Sequence, residues 1–115
     1  MNILILGAGG FIGTNLAIKL ASNEQDTITL LDKNRSYFEV IKEKQFSNIK
    51  IIESDFTEDT NFDELLFGQE VIYHLISTTV PTTSNNQISK ELTANVVVTS
   101  QLLDACVKVH LDVLI

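Results

Sequence analysis

Three glycines near the start of the chain, Gly7, Gly10 and Gly13, follow an apolar run and are each separated by two residues. In this spacing the first glycine allows a tight turn, the second lets the backbone approach a pyrophosphate, and the third lets a helix pack closely on a strand. The N-terminus of the helix that follows offers free N–H groups and partial positive charge to phosphates. The stretch is not a strict G-x-G-x-x-G fingerprint, because position 12 is Ile12. It therefore predicts a phosphate-binding turn between a strand and a helix.

An acidic residue, Asp32, ends the second apolar run of the chain. After a strand, glycines and a helix, a carboxylate at this point accepts hydrogen bonds from the ribose hydroxyls of a dinucleotide. The carboxylate also repels a 2′-phosphate, which favours NAD, although Lys33 and Arg35 keep NADP open as an alternative. The competing interpretations are an ordinary glycine-rich turn, or a flavin or methyl-donor site. The order of the elements and the glycine spacing favour NAD over both.

Short apolar runs alternate with longer amphipathic segments, which is typical of a parallel sheet covered on both faces. We therefore predict an α/β fold, a doubly wound parallel sheet of the Rossmann type with about five strands in the order 3-2-1-4-5. The predicted strands are Asn2–Leu6, Thr27–Asp32, Ile49–Glu53, Val71–Leu75 and Leu111–Ile115. The predicted helices are Phe11–Ser22, Ser36–Phe46, a short turn at Phe62–Phe67, and Ile88–His110, which follows a polar loop at Thr78–Gln87.

The long last helix has apolar residues at helical spacing, and we predict that this face lies in the core. Its members are Leu92, Val96, Thr99, Leu103, Cys106 and Val107. Cys106 on this face is predicted to be an inert core residue. His74, at the end of the fourth strand, is predicted to be packed and not catalytic.

Composition excludes several classes of protein. The chain has 115 residues, which predicts one domain over residues 1–115, and its net charge of −7 argues against binding to nucleic acid. No apolar run reaches the roughly 18 residues that span a bilayer, and the N-terminus has no basic region typical of a signal peptide. The single Cys106 fits a cytoplasmic protein, and two histidines with scattered carboxylates give no metal-ligand spacing.

The chain resembles the extended short-chain dehydrogenase/reductase family, the NAD-dependent nucleotide-sugar epimerases and dehydratases. The stretches that carry the resemblance are GAGGFIG at 7–13, Asp32, SDFTE at 54–58, VIYHLIS at 71–77 and ELTANVVVTSQLLDAC at 91–106. The resemblance implies a nucleotide-sugar substrate for the full-length protein. The cofactor-binding residues that we predict are Gly7, Gly10, Phe11, Ile12, Gly13, Asp32, Lys33, Asp55, Phe56, Leu75, Ile76, Ser77 and Asn95.

Individual roles also follow from the resemblance. It implies that Asp55 accepts the exocyclic amine of adenine and that Phe56 covers the ring. From the residues alone, Asp55 could instead cap a turn and Phe56 could belong to the core. The segment Leu75–Ser77 matches a stretch beside the pyrophosphate and the nicotinamide ribose, with Ile76 and Ser77 where the family has alanines. Asn95 matches an asparagine near the active site of the family.

No catalytic residue is predicted within this chain. The family uses a Tyr-x-x-x-K pair after the fifth strand, and neither Tyr37 nor Tyr73 has a lysine four residues later. We therefore expect an N-terminal fragment that binds NAD and is inactive alone, from an epimerase or dehydratase that works by transient hydride transfer. The alternatives are a related reductase, or a sensor or scaffold without chemistry. Open sheet edges and apolar surface predict a homo-oligomer.

Overall fold

The computed structural model describes residues 1–76, 96–109 and 113–115. Within these residues five parallel strands form one sheet: β1 (Asn2–Leu6), β2 (Thr27–Asp32), β3 (Ile49–Glu53), β4 (Val71–His74) and β5 (Val113–Leu114). Their order in the sheet is β3-β2-β1-β4-β5. The chain therefore crosses to one side of β1 and then to the other, which confirms the predicted fold class and strand order.

The helices of the described part are α1 (Phe11–Ala21), a 3₁₀ helix (Arg35–Phe38), α2 (Glu39–Glu43), α3 (Phe62–Leu66) and α4 (Val98–Lys108). One polar helix was predicted where the 3₁₀ helix and α2 lie. The Asn34 side chain accepts a hydrogen bond from the Ser36 N–H at 3.0 Å and so starts the tighter 3₁₀ turn, while Gln45 ends the segment with a φ of 53°. The predicted loop at Thr78–Gln87 and the first part of the last predicted helix lie outside the described residues.

Strand β1 separates two hydrophobic layers. Its side chains alternate, so Ile3 and Ile5 pack in the layer that contains α1 and Phe38, whereas Leu4 and Leu6 pack in the layer that contains α3 and α4. All four side chains are buried. The central strand is thus apolar on both faces, as expected for a parallel sheet with helices on both sides.

The predicted core face of the last helix is wrong at Val96, Leu103 and Val107. Helix α4 buries its residues at positions 98, 102, 105 and 106, whereas Leu103 is 45% exposed and Val107 75% exposed. Val96, just before the helix, is 54% exposed. The sequence has apolar residues around most of this helix, so spacing alone did not decide which stripe faces the sheet. Cys106 is buried as predicted, and burial raises the pKa of its thiol.

Within the described ranges, no helix has both the length and the apolar character that crossing a membrane requires. The same residues contain no group of three or more His, Cys, Asp and Glu side chains that could hold a metal ion.

Candidate functional site

The turn after β1 leaves no space for a side chain at Gly7. Its φ is +77°, and a Cβ placed there would lie 2.9 Å from the carbonyl carbon of Leu75 and 3.0 Å from the backbone nitrogen of Ile76. The Gly7 N–H donates to the Leu31 carbonyl at 2.9 Å, which ties the turn to β2. The predicted tight turn therefore exists, and it brings Leu75 and Ile76 directly against the glycine loop.

Gly10 and Gly13 differ in what surrounds them. A Cβ on Gly13 would lie 2.7 Å from the Cα of Ala8 and 2.8 Å from the Gly7 carbonyl oxygen, so the first turn of α1 packs onto the loop without a side chain between them. At Gly10 the nearest atom would be the Gly7 carbonyl oxygen at 3.8 Å. The fold thus requires glycine at position 13, whereas glycine at position 10 leaves an approach to the backbone open.

The N-terminus of α1 has the features of an anion-binding helix end. Gly10 is its N-cap, with no side chain that satisfies the first N–H groups, and the first turn contains no acidic residue. Phe11 and Ile12 in this turn are 86% and 69% exposed. The positive end of the helix therefore faces open space at the carboxyl edge of the sheet, where an anion is stabilised.

Asp32 lies beside the glycine loop, at the end of β2. Its Oδ2 accepts a hydrogen bond from the Gly9 N–H at 2.9 Å, and its Oδ1 accepts one from the Lys33 N–H at 2.7 Å. Each carboxylate oxygen has a second lone pair, so the group can still accept two hydroxyl donors. The structure thus joins the predicted acid to the predicted phosphate turn through Gly9, a glycine to which the sequence pattern gave no role.

Phe56 lies in the core. The residue is 6% exposed, and its ring packs edge to face against Phe62, with 5.7 Å between ring centroids. The same ring packs at a tilt against His74, with 5.2 Å between ring centroids. Phe56 thus belongs to the core, the alternative that the residues alone left open, and its role in covering the adenine ring stays a prediction. The exposed Asp55 accepts the Phe56 N–H through its Oδ1 at 2.9 Å, which is the turn-capping alternative, and its Oδ2 is left for a ligand.

The remaining predicted binding residues lie at several places around the loop or outside the described residues. Lys33 is exposed beside Asp32, and Leu75 and Ile76 are partly buried next to Gly7. Ser77 and Asn95 lie outside the described residues. The cofactor roles of all of them stay predictions.

His74 links the end of β4 to α4. Its Nε2 and the Thr99 hydroxyl are 2.9 Å apart, and among the described residues its buried Nδ1 has no partner. Burial lowers the pKa of His74, because the charged imidazolium loses hydration. The histidine is a packed strand-end residue, as predicted.

A separate groove of about 640 Å³ runs along β2, β3 and α3. Asp55 and Ser54 are among the residues that line it, and none of the loop glycines does. Among the predicted cofactor-binding residues that the structure describes, only Asp55 lines this groove, whereas the glycine loop and the N-terminus of α1 lie outside it.

Residues 3–115 match the model of the NAD dependent epimerase/dehydratase family. The chain belongs to this family. The predicted resemblance is thereby confirmed, and the description of the family agrees with the prediction of NAD as the cofactor.

Named relatives support the same assignment. The chain is 31% identical over 120 residues to UDP-glucuronic acid decarboxylase 3 of Arabidopsis thaliana. This alignment covers 100% of the chain and 33% of the relative. A crystal structure of UDP-glucuronic acid 4-epimerase from Bacillus cereus in complex with NAD is 28% identical and has a TM-score of 0.82, over 99% of this chain and 38% of that one. A UDP-glucose-4-epimerase from Stenotrophomonas maltophila, 18% identical with a TM-score of 0.83 over 99% of this chain and 35% of that one, shares the fold. The chain thus spans little more than a third of the length of these proteins.

The different surroundings of the loop glycines predict different losses of stability on substitution. We expect Gly13→Ala to lower the free energy of unfolding by about 1–3 kcal/mol, because the new methyl group forces α1 away from the loop. Gly10→Ala is the matched control, with an expected loss of less than about 1 kcal/mol, since its methyl group enters open space. Chemical denaturation of both variants measures the difference, and equal losses would contradict the geometry described here.

Burial of His74 predicts a pH-dependent stability. The folded state holds its pKa below the ordinary value of 6.5, so the unfolded chain binds a proton more readily. This contribution to stability is present above pH 6.5 and is lost as the pH falls through 6.5 towards the lower folded-state pKa. We expect the denaturation midpoint of wild type to fall more steeply than that of His74→Gln between about pH 7 and pH 5, the range that includes the ordinary pKa of histidine. Parallel pH profiles for the two proteins would exclude a titrating role for His74.

Proposed function

We propose that this chain is the NAD-binding portion of an enzyme that acts on a nucleotide-linked sugar, with residues 1–115 forming one dinucleotide-binding unit. The observation that carries the proposal is the hydrogen bond from the Gly9 N–H to Asp32, beside the uncapped N-terminus of α1. This arrangement supports a diphosphate site and a ribose site that lie side by side. Both lie at the carboxyl edge of the sheet, next to the switch in strand order between β1 and β4.

The residues present fit such a cofactor. Gly10 has the open space that a pyrophosphate needs, and the backbone N–H groups of Phe11 and Ile12 at the helix start suit its negative charge. Asp32 suits the adenosine ribose, and Asp55 has one carboxylate oxygen left for the adenine amine. When bound, NAD supplies a nicotinamide that accepts and returns a hydride. The chain's own residues bind and orient the cofactor.

The substrate class follows from the relatives. The Arabidopsis protein is named a UDP-glucuronic acid decarboxylase, and the Bacillus cereus and Stenotrophomonas proteins are UDP-sugar 4-epimerases. Since they are more than twice as long as this chain, we assign a UDP-linked or similar sugar to the full-length protein only. This portion is common to epimerisation, decarboxylation and related reactions on such sugars.

Removal of the Asp32 carboxylate tests the proposed site. By calorimetric titration we expect wild type to bind NAD more tightly than NADP, and Asp32→Ala to weaken NAD binding by about tenfold or more, since hydrogen bonds to a charged group are lost. Glu58→Ala removes an exposed acid elsewhere and is the control for net charge. Tighter binding of NADP than of NAD by wild type would overturn the assignment of Asp32.

We also propose that the protein is cytoplasmic. The single cysteine, Cys106, is a free thiol, which suits a reducing compartment.

We further propose that the protein associates with further copies through α4. Leu103 and Val107 lie four residues apart on one side of the helix, Val96 lies just before the helix and seven residues before Leu103, and all three are exposed. Apolar side chains grouped in this way favour association.

Charge placed on this side of α4 is expected to reduce association. By light scattering at high protein concentration, we expect wild type to form a dimer or a larger species and the double variant Leu103→Lys, Val107→Lys to be smaller. Lys108→Ala serves as a control, because it changes charge on the same helix without affecting the apolar group. A monomeric wild type would exclude association of this chain.

A further inference from the structure

Tyr37 lies against the glycine loop, although it is distant in sequence and carries no part of the glycine pattern. A Cβ placed on Gly9 would lie 2.6 Å from the Cβ of Tyr37 and 2.9 Å from its Cδ2. The same point is 2.9 Å from Oδ2 of Asp32. Tyr37, Gly9 and the carboxylate therefore meet at one place, and only glycine fits between the other two.

Several contacts fix Tyr37 in this position. It lies on the 3₁₀ helix, and its N–H donates to the Asn34 carbonyl at 3.1 Å. The next residue, Phe38, is fully buried in the layer beneath. The Arg35 N–H donates to Oε2 of Glu53 at 2.7 Å, which ties the same segment to the end of β3. The segment is thus held on both sides, while the ring of Tyr37 covers Gly9.

We propose that Tyr37 is a positioning residue that makes the site selective for a dinucleotide with an unphosphorylated ribose. Its ring packs beside the hydrogen bond from the Gly9 N–H to Asp32 and prevents the carboxylate from turning away from the loop. A carboxylate fixed in this orientation can accept hydrogen bonds from ribose hydroxyls with its free lone pairs. Its negative charge repels a 2′-phosphate. This inference rests on the proposed function of the site, and it adds a residue outside the glycine and Asp32 pair.

Two cations near Asp32 explain why its orientation matters. Lys33 follows it directly in the chain and Arg35 comes two residues after Lys33, and both are exposed. If the carboxylate could turn outward, their positive charges would be free to bind a 2′-phosphate. Selectivity then depends on holding the acid in place, and the contact of Tyr37 with Gly9 does this.

Calorimetric titration of the 115-residue chain with NAD and with NADP tests the proposal. We expect Tyr37→Ala to weaken NAD binding by about three- to tenfold and to reduce the preference for NAD over NADP by a similar factor, since a hydrogen bond to a charged group loses its orientation. The conservative variant Tyr37→Phe keeps the ring on Gly9, so we expect it to retain both the wild-type affinity for NAD and the wild-type preference for NAD over NADP. Val40→Ala, an exposed change on α2, controls for general effects on this segment.

A second variant guards against loss of folding. Gly9→Ala forces Tyr37 or Asp32 away from the loop, and we expect the same reduced preference for NAD. Thermal denaturation of each variant separates loss of binding from loss of fold. An unchanged ratio of NAD to NADP affinity in folded Tyr37→Ala or Gly9→Ala would overturn the inference while leaving the proposed function intact. A wild-type chain that binds neither dinucleotide would overturn both.

Discussion

The contact between backbone and backbone at Gly7 is the constraint on which the rest of the site depends. At this point the chain leaves β1, passes within van der Waals distance of the end of β4, and donates a hydrogen bond to β2. Three neighbouring strands therefore meet the loop with no side chain between them. A side chain at Gly7 would separate β1 from β4 and move the start of α1 away from the sheet edge. The glycine loop is thus a packing requirement of the fold before it is a binding feature.

Two groups of opposite charge lie at the carboxyl edge of the sheet, the N-terminus of α1 and the carboxylate of Asp32. The N-terminus of α1 has no acidic side chain in its first turn, so its partial positive charge is available to an anion. Asp32 supplies the negative group, and two backbone N–H groups hold its carboxylate in place. A diphosphate binds positive charge, whereas ribose hydroxyls donate hydrogen bonds to a carboxylate. Because the diphosphate and the ribose are neighbours in a dinucleotide, the closeness of these two groups matches the order of its parts.

The sequence predicted the sheet well because each strand is a short apolar run bounded by polar residues. The bounds of β1, β2 and β3 agree with the prediction, and so does the strand order. The sequence did not decide between arrangements that satisfy the same pattern. Helix α4 has apolar residues on more than one side, and only contact with the sheet selects the buried one. Phe56 fits a core and a ligand-binding edge equally well by residue type, and packing against Phe62 decided for the core.

The contact of Gly9 with Tyr37 had no signal in the sequence, because it depends on how closely the segment after β2 approaches the loop after β1. Contacts between segments that are distant in sequence occur at the candidate site because both hydrophobic layers extend to it. The layer with α1 reaches the edge through Phe38, which follows Tyr37 in the chain, and the layer with α4 reaches it through His74, which contacts Phe56 and Thr99. Both hydrophobic layers therefore position parts of one candidate binding edge. A core substitution in either layer can alter cofactor affinity without touching a binding residue, because the loop between them is made of backbone and adopts the positions that its neighbours set.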